Sequence, residues 1–414
     1  MKAFIGHGML ELRDRFHRLY GEEGPRCMDR FQMLIGRYGV GDRIPEPSGL
    51  WSEKDAVLIT YGDMVQNPLE RPLLTLQRFL TGHLSNAFNT VHILPFFPYS
   101  SDDGFSVMDY RAVRRELGTW EDIESIAVDF RVMADLVINH CSSESGWFQD
   151  YVTSVSPARF YFIEVDPDTD LSGVTRPRST PLLTRVQTRE GERFVWSTFS
   201  EDQIDLNFAN PDVLFEFLDI LFYYISRGIK VIRLDAIAYL WKKIGTSCIH
   251  LPETHEIVKL FRTVVKMIAP DVLLITETNV PHGENVSYFG DGDEAHVVYQ
   301  FTLPPLLLHG LLKGTAKHLT EWADGLSNLP AGRTFLNFTA SHDGIGVRPL
   351  EDVLSREDVD FLVEAAQARG GQVSTKRNPD GSDSPYELNI TYFDALGSPD
   401  SPRDKSRVAR FLCS

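Results

Sequence analysis

The chain has 414 residues, a formal net charge of −17 from 41 basic and 58 acidic residues, and a hydrophobic share of 43%. This length fits one large α/β barrel with insertions or two to three domains, and the composition argues against general disorder. The acidic balance argues against nucleic acid as a partner.

The four cysteines lack metal-ligand spacing, which favours reduced thiols in the cytoplasm over a disulfide framework. The N-terminal pattern is not that of a signal peptide, and no apolar run approaches the roughly 20 residues that span a bilayer. The sequence therefore predicts a cytoplasmic protein with no membrane partner.

Short apolar segments alternate with amphipathic ones along most of the chain. Residues 1–50 are predicted to form an N-terminal helical extension, because apolar residues recur there at helical spacing. Beyond it, strand–helix alternation is typical of a parallel sheet that is covered on both faces. Seven strands are predicted, at 56–60, 91–94, 132–139, 230–235, 272–277, 296–301 and 334–339. Helices are predicted between most of them, for example at 73–83, 212–227 and 252–268.

Two stretches interrupt this alternation. Residues 141–205 are predicted to be a small inserted domain (domain B) after the third strand, and residues 344–389 a long loop region. The predicted fold is therefore α/β, a (β/α)8 TIM barrel formed by residues 51–140 and 206–414 that is truncated after its seventh strand. Because residues 407–414 resemble the first turns of an amphipathic helix, the chain is expected to be a fragment.

Three of the predicted strand regions lead into carboxylates, namely Asp235, Glu277 and Asp343. Burying a carboxylate costs several kcal/mol unless it is paired or used, and parallel α/β barrels place their active sites at the C-terminal ends of their strands. Arg233 lies on the same face of its strand as Asp235 and favours the ionised form that a nucleophile needs. Such a set of acids suits the cleavage of a sugar acetal.

Each of these side chains also has a structural interpretation. In this interpretation, Arg233 and Asp235 would form a buried ion pair, Glu277 would cap the turn that follows it, and Asp343 would belong to an Asp–Gly turn. A lone histidine at the position of His140 is more often structural than functional. Singly, these signals are weak, and it is their combination and order along the chain that indicate a function.

In that order the segments resemble the alpha-amylase superfamily, glycoside hydrolase family thirteen. The four signature regions of that family match at 135–140, 233–235, 277 and 342–343. Residues 91–98, 102–105, 139–150 and 303–309 resemble the sucrose phosphorylase branch. The resemblance covers about residues 55–414.

The resemblance implies a hexosyl-transferring phosphorylase with a retaining, two-step mechanism. Asp235 would be the nucleophile, Glu277 the acid and base, and Asp343 the stabiliser of the transition state. The glucose contacts would be Asp102, Phe105, His140, Phe199, Gln203, Arg233 and His342. Inorganic phosphate would be the co-substrate, held by Arg178 and Tyr386. The branch generally needs no cofactor and no metal, although amylase relatives often bind calcium near the position of Asn139.

Three departures from sucrose phosphorylases bear on the substrate. The N-terminal extension, the segment 278–285 and Glu387 in the acceptor region all look more like glucosylglycerate phosphorylases and their glucosylglycerol-cleaving relatives. Glu387 would accept hydrogen bonds from a small polyol, and it would repel the carboxylate of glycerate unless Lys376, Arg377 or Arg178 offset its charge. The expected donor is a small α-glucoside, with glucosylglycerate ahead of glucosylglycerol and sucrose.

Two other functions remain open. The same scaffold supports an α-glucosidase or transglucosylase, and barrels that lack catalysis can serve as binding subunits. The isolated chain is expected to be poorly active and aggregation-prone, because an unclosed barrel exposes strand edges. The sequence predicts no oligomeric state.

Overall fold

The computed structural model describes residues 2–39, 49–326, 328–378 and 382–397. The chain divides into two compact units. The first unit comprises Met1–Val174, Thr180–Glu277 and Asp293–His296, and the second comprises Thr175–Ser179, Thr278–Gly292 and Val297–Ser414. The helix start that was predicted at 407–414 lies outside the described residues.

The first unit holds the N-terminal helices, most of the barrel strands and the predicted domain B. Its helices are α1 (Lys2–Tyr20), α2 (Gly24–Tyr38), α3 (Pro72–Phe79), α4 (Trp120–Asp129), α5 (Gly146–Val152), α6 (Pro211–Ser226) and α7 (Pro252–Ile268). Its strands are β1 (Val57–Thr60), β2 (Thr90–Ile93), β3 (Arg131–Val137), β4 (His140–Ser142), β5 (Leu183–Thr188), β6 (Gly191–Trp196), β7 (Gln203–Asp205), β8 (Ile229–Asp235) and β9 (Leu273–Thr276).

Strands β1, β2, β3, β8 and β9 pair side by side, and all are parallel. Strands β2, β3, β8 and β9 are buried almost throughout, as strands covered on both faces must be. The register pairs Asp135 with Arg233 and Leu234 with Thr276. This register brings the C-terminal ends of β8 and β9 to the same level of the sheet.

Helices α1 and α2 lie against the outside of the barrel helices. Helix α1 contacts α7, and α2 contacts α6. The ring of Phe16 stacks on Phe215 with their centroids 5.8 Å apart, and Phe31 meets Phe222 edge-on at 6.1 Å. Arg15 is 7% exposed and donates to a carboxylate oxygen of α7. The extension therefore covers apolar and charged surface of two barrel helices.

Residues 141–205 contain two small antiparallel pairs, β4 with β7 and β5 with β6, together with helix α5. A core cluster of Val165, Leu182, Trp196 and Cys248 lies beneath the β5–β6 hairpin. Strand β7 returns the chain to the end of β3, because His140 of β4 pairs with Asp205 of β7. The limits of domain B at 141 and 205 stay a prediction.

The second unit holds the later barrel elements and a small antiparallel sheet. Its helices are α8 (His282–Val286), α9 (Leu303–Lys313), α10 (Lys317–Gly325), α11 (Arg356–Gln367) and α12 (Tyr392–Ala395). Its strands are β10 (Val297–Tyr299), β11 (Thr334–Leu336), β12 (Ile345–Gly346), β13 (Gln372–Arg377) and β14 (Asp383–Asn389). Strands β10 and β11 pair side by side and are parallel.

The expectation of a long loop at 344–389 was wrong. This stretch contains helix α11 and the antiparallel sheet of β12, β14 and β13. Its apolar residues pack into one core, which includes Ile345, Leu362 and Leu388. The Gly370–Gly371 pair, which suggested a loop, forms only the short turn between α11 and β13, where Gly370 adopts a φ of 84°.

Each of the seven predicted barrel strands has its counterpart, in β1, β2, β3, β8 and β9 of the first unit and in β10 and β11 of the second, which confirms the truncated α/β barrel fold. Among the described residues, no helix is both long and apolar enough to cross a bilayer.

Candidate active site

The C-terminal end of β8 carries the first pair of predicted site residues. Arg233 Nη1 donates to Asp235 Oδ1 at 2.7 Å and to Asp135 Oδ1 at 2.6 Å. The first contact follows from the spacing of two residues along one strand, and the second from the register of β3 with β8. Arg233 is 2% exposed and Asp235 is 7% exposed. The guanidinium therefore binds two carboxylates at a site that is almost inaccessible to solvent.

Asp135 is held from its other side by a histidine that the sequence did not single out. His92 Nε2 lies 2.8 Å from Asp135 Oδ2, and both side chains are buried. His92 stands in β2, whose register with β3 brings it beside the strand of Asp135. The three strands β2, β3 and β8 thus contribute one buried row of ionisable groups that ends at Asp235.

Glu277 follows β9 and reaches back to the neighbouring strand end. Its Oε2 accepts from the backbone N–H of Ala236 at 3.1 Å, and its own N–H donates to the carbonyl of Leu234 at 3.1 Å. Ala236 has a φ of 50°, in the left-handed region that costs a residue with a Cβ roughly 1–2 kcal/mol. The structure therefore brings Asp235 and Glu277 to one rim of the sheet, on consecutive strands.

The predicted glucose contacts of the first unit also come together. Gln203 Nε2 donates to Asp102 Oδ2 at 2.8 Å and lies 3.2 Å from His140 Nε2. His140 Nε2 lies 3.0 Å from the carbonyl oxygen of Phe105, and the ring of Phe199 is 5.2 Å from that of His140. Complete burial lowers the pKa of His140 below its ordinary value, although Asp205 and Asp102 oppose this shift.

Phe105 links this group to Arg233, which binds the predicted nucleophile Asp235. The Arg233 guanidinium lies 5.7 Å from the centroid of the Phe105 ring, within the range of a cation–π contact. The ring belongs to a loop that begins at Asp102 and Asp103, whose φ values are 54° and 48°. A strained loop therefore places an aromatic face beside Arg233, the partner of the predicted nucleophile.

A buried cation that the sequence did not predict binds Asn139, whose Nδ2 lies 3.3 Å from His140 Nδ1. Lys242 Nζ lies 2.5 Å from Asp205 Oδ2 and donates to Asn139 Oδ1 at 2.6 Å. Burial lowers the pKa of Lys242, and the attraction of Asp205 counteracts this. Within the described part of the chain, no cluster of three or more histidines, cysteines and acidic residues could hold a metal ion. The Lys242 ammonium group therefore places a positive charge between Asp205 Oδ2 and Asn139 Oδ1.

The remaining predicted residues belong to the second unit. His342 Nε2 and Asp343 Oδ1 are 3.4 Å apart, and the N–H of Asp343 donates to Ser341 Oγ at 3.1 Å. These residues line a cavity of about 620 Å³ together with residues 389–393. The side chains of His342 and Asp343 therefore lie side by side, and the hydrogen bond from Asp343 to Ser341 closes a short turn at the same place.

The predicted phosphate residues contact each other. The Arg178 guanidinium lies 5.7 Å from the centroid of the Tyr386 ring. Glu387 follows Tyr386 in β14 and pairs with Ser374 of β13. Lys376, one of the cations that could offset Glu387, lies 2.5 Å from a carboxylate oxygen of Glu351. The side chain of Arg377 is outside the described residues.

Comparison with known proteins identifies the family of the chain. The family described as alpha amylase, catalytic domain, matches residues 86–323. The chain belongs to the alpha-amylase family. This confirms the resemblance that the signature regions indicated.

Within the family the chain is similar to phosphorylases. It is 49% identical to a glucosylglycerate phosphorylase of Spirochaeta thermophila over 97% of this chain and 69% of that protein. It is 52% identical to a glucosylglycerate phosphorylase of Allomeiothermus silvanus over 96% of this chain and 71% of that protein. Both relatives fall within the branch and the enzyme class that the sequence predicted.

A solved structure agrees with the fold. The sucrose 6F-phosphate phosphorylase of Thermoanaerobacter thermosaccharolyticum superimposes with a TM-score of 0.75 and 28% identity, covering 88% of this chain and 76% of that one. The individual residue roles stay predictions.

Proposed function

We propose that this protein is a glucosylglycerate phosphorylase, which converts an α-glucoside of glycerate and inorganic phosphate into α-glucose 1-phosphate and glycerate with retention at the anomeric carbon. The observation that carries this proposal is the identity of 49% and 52% to two glucosylglycerate phosphorylases over nearly the whole chain. The carboxylates that a double displacement requires are all present, at Asp235, Glu277 and Asp343.

In the first step, Asp235 attacks the anomeric carbon and forms a β-glucosyl ester, while Glu277 protonates the departing glycerate oxygen. The guanidinium of Arg233 stabilises the negative charge of Asp235 before attack and orients one of its oxygens. Arg233 is shared with Asp135, so it does not neutralise the nucleophile alone. In the second step, Glu277 takes a proton from phosphate as phosphate attacks the ester.

The glucose ring is held by the group around His140. Asp102 and Gln203 supply hydrogen-bonding groups, and Phe105 supplies an apolar face. The neutral imidazole of His140 offers one donor and one acceptor rather than two donors, because burial lowers its pKa. His342 and Asp343 bind neighbouring hydroxyls and favour the flattened, cation-like ring of the transition state.

Glycerate and phosphate occupy the same acceptor subsite in turn, because one must leave before the other attacks. Both are anions, so one cation can serve both half-reactions. Arg178, held over Tyr386, is our assignment for this cation. Lys376 is engaged with Glu351 and is a weaker candidate. Glu387 then faces the hydroxyl groups of the acceptor rather than its carboxylate.

The test is the release of α-glucose 1-phosphate from glucosylglycerate, glucosylglycerol and sucrose, each with and without phosphate. We expect the highest kcat/KM with glucosylglycerate, and a strict requirement for phosphate. Free glucose as the main product at saturating phosphate would contradict a phosphorylase. A preference for glucosylglycerol would leave the phosphorylase intact and overturn the assignment of glycerate.

Arg178→Lys tests the shared cation. It should raise the KM of phosphate and that of glucosylglycerate by about tenfold or more each, because a bidentate contact is lost. Arg185→Lys is the matched control, since Arg185 lies in the β5–β6 hairpin and pairs with Glu192 at the surface. A rise in the KM of phosphate alone would mean that Arg178 binds phosphate but not glycerate, which would contradict the shared cation.

A further inference from the structure

Three loops of the proposed glucose subsite meet at one carboxylate that has no role in the mechanism above. Asp202 stands directly before Gln203 at the start of β7. Three serine hydroxyls from the loop 100–106 donate to its Oδ2: Ser100 at 2.5 Å, Ser101, and Ser106 at 2.8 Å. Ser106 is fully buried.

The other oxygen of Asp202 binds the chain beyond β3. Ser143 Oγ donates to Oδ1 at 2.6 Å and the N–H of Ser143 does so at 3.3 Å, while Ser142 Oγ is 3.5 Å away. The backbone carbonyl of Asp202 accepts from the N–H of Ser143 at 2.9 Å. One side chain therefore joins the loop 100–106, the start of domain B and β7. We call these five serines and Asp202 the serine cage.

Each part of the cage adjoins a proposed glucose contact. Ser101 precedes Asp102, Ser106 follows Phe105, Ser142 lies two residues after His140, and Asp202 precedes Gln203. The loop needs such a restraint, because Asp102 and Asp103 have left-handed backbones. A Cβ at Gly104 would also lie only 2.9 Å from the Pro95 carbonyl oxygen, so the loop passes close to the chain below it.

We infer that Asp202 is the positioning residue of the glucose subsite, which holds Asp102, Phe105 and Gln203 in the geometry that binds a glucosyl group. The identity of the ligand as glucose rests on the proposed function. The chemistry is that of charge-assisted hydrogen bonds to an ionised carboxylate, which are about twice as strong as neutral ones. Burial alone would raise the pKa of Asp202, but the serine hydroxyls outweigh it and keep the pKa below its ordinary value.

The first test is the affinity for glucose itself, measured by calorimetry on this protein and on Asp202→Asn and Asp202→Ala. The alanine variant removes both carboxylate oxygens of the cage, keeps the backbone carbonyl of residue 202, and should weaken glucose binding by at least about tenfold. The asparagine variant can keep an oxygen where three hydroxyls meet, but its NH₂ faces the N–H of Ser143. Its loss should be intermediate.

A kinetic split distinguishes positioning from general damage. The KM of the glucoside should rise with the dissociation constant of glucose. The KM of phosphate should stay within about twofold, because the proposed phosphate ligand Arg178 does not belong to the segments that Asp202 joins. Asp170→Asn is the matched control, since Asp170 is an exposed aspartate that accepts from the N–H of Ser172 in a turn. It should change neither constant.

A milder variant covers the case in which Asp202→Ala fails to fold. Ser101→Ala removes one hydroxyl beside Asp102 and should weaken glucose binding by about threefold or more, with an unchanged unfolding temperature. Unaltered glucose affinity in Ser101→Ala and in a folded Asp202→Ala or Asp202→Asn would overturn the inference. An equal rise in the KM of phosphate would overturn it too.

The outcomes separate this inference from the proposed function. A protein that releases no glucose 1-phosphate, yet binds glucose in a manner that depends on Asp202, contradicts the phosphorylase and supports the cage. A protein that cleaves glucosylglycerate with phosphate and binds glucose equally well without the Asp202 carboxylate supports the phosphorylase and refutes the cage. A parent protein that neither binds glucose nor releases glucose 1-phosphate refutes both.

Discussion

Replacing Lys242 by methionine should destabilise the protein more than any exposed lysine could. The Lys242 side chain is 3% exposed and that of Asp205 is fully buried, with 2.5 Å between Nζ and Oδ2. Removing one partner of a buried ion pair costs about 3–5 kcal/mol, because the other charge is left without compensation. Methionine keeps most of the volume, so the loss is electrostatic rather than a cavity.

The neighbours of Asp205 set the expected magnitude within that range. Its Oδ1 still accepts from the N–H of Thr198 at 2.7 Å, and its Oδ2 accepts from Thr198 Oγ1 at 2.6 Å and from Asn139 Nδ2 at 3.0 Å. These donors keep the carboxylate hydrogen-bonded, so we expect the lower end, about 3 kcal/mol. The double variant Lys242→Met with Asp205→Asn removes both charges and should recover about 2 kcal/mol of this loss.

The measurement is urea unfolding of the parent, both single variants and the double variant, with the coupling taken from the cycle. Lys230→Met is the matched control. Lys230 pairs with Asp271 at 2.6 Å, but the two side chains are 39% and 28% exposed, so its loss should cost no more than about 1 kcal/mol. If Lys242→Met costs no more than this control, or if the double variant is as unstable as the single one, the reasoning is wrong.

Three further predictions concern other parts of the chain. Phe31→Ala should lower the free energy of unfolding in urea by about 3–5 kcal/mol, because Phe31 is fully buried in the contact of α2 with α6. Met33→Ala, at a side chain that is 75% exposed, is the control and should cost under about 0.5 kcal/mol. Equal losses would contradict this role of the extension. Burial raises the pKa of Cys141 to about 12, so iodoacetamide at pH 8 should leave this thiol unmodified in the folded protein by mass spectrometry, and rapid alkylation without unfolding would refute it. The hydrogen bond from His309 lowers the pKa of Asp358 to about 2. The contribution of ionised Asp358 to stability is therefore present above about pH 4 and is lost as the pH falls toward 2. Asp358→Asn should flatten the loss of thermal stability between pH 4 and 3, and an unchanged slope would contradict this.

The barrel strands could be predicted from the sequence because the pattern that identifies each strand lies within a few consecutive residues. Buried parallel strands are short apolar runs, and the carboxylates at their ends stand out against those runs. The Arg233–Asp235 contact is a matter of two residues on one strand, so it could be read directly. The combination of Asp235, Glu277 and His342–Asp343 in one order also carried the family resemblance.

The parts that sequence reasoning missed depend on contacts between distant residues. Lys242 is 103 positions from Asn139, and Asp202 is 102 positions from Ser100. Neither lysine nor aspartate differs in its local pattern from an ordinary surface residue. His92 lies in the segment 91–98 that resembles the sucrose phosphorylase branch, but only the register of β2 with β3 brings it to Asp135.

The long loop predicted at 344–389 was wrong for a different reason. The glycines and the polar run drew attention to the turns, although the helical spacing of Leu362 and Ala366 in α11 was present in the sequence. Strand β14 alternates less clearly, because Pro385 interrupts it and its pairing with β13 shifts between Ser374 and Thr375. Turn residues mark where elements end, and they do not exclude elements between them.

The structural and the predicted catalytic interpretations of Arg233 and Asp235 rest on the same contacts. A buried ion pair by itself would neutralise the nucleophile and hold it too firmly to attack. Here the guanidinium binds Asp135 as closely as Asp235, at 2.6 Å and 2.7 Å, and His92 binds the far side of Asp135. The positive charge is therefore divided between a carboxylate that never leaves the interior and one that is 7% exposed at the rim. The fully buried Asp135 anchors the arginine, and the arginine in turn orients Asp235 at the end of β8.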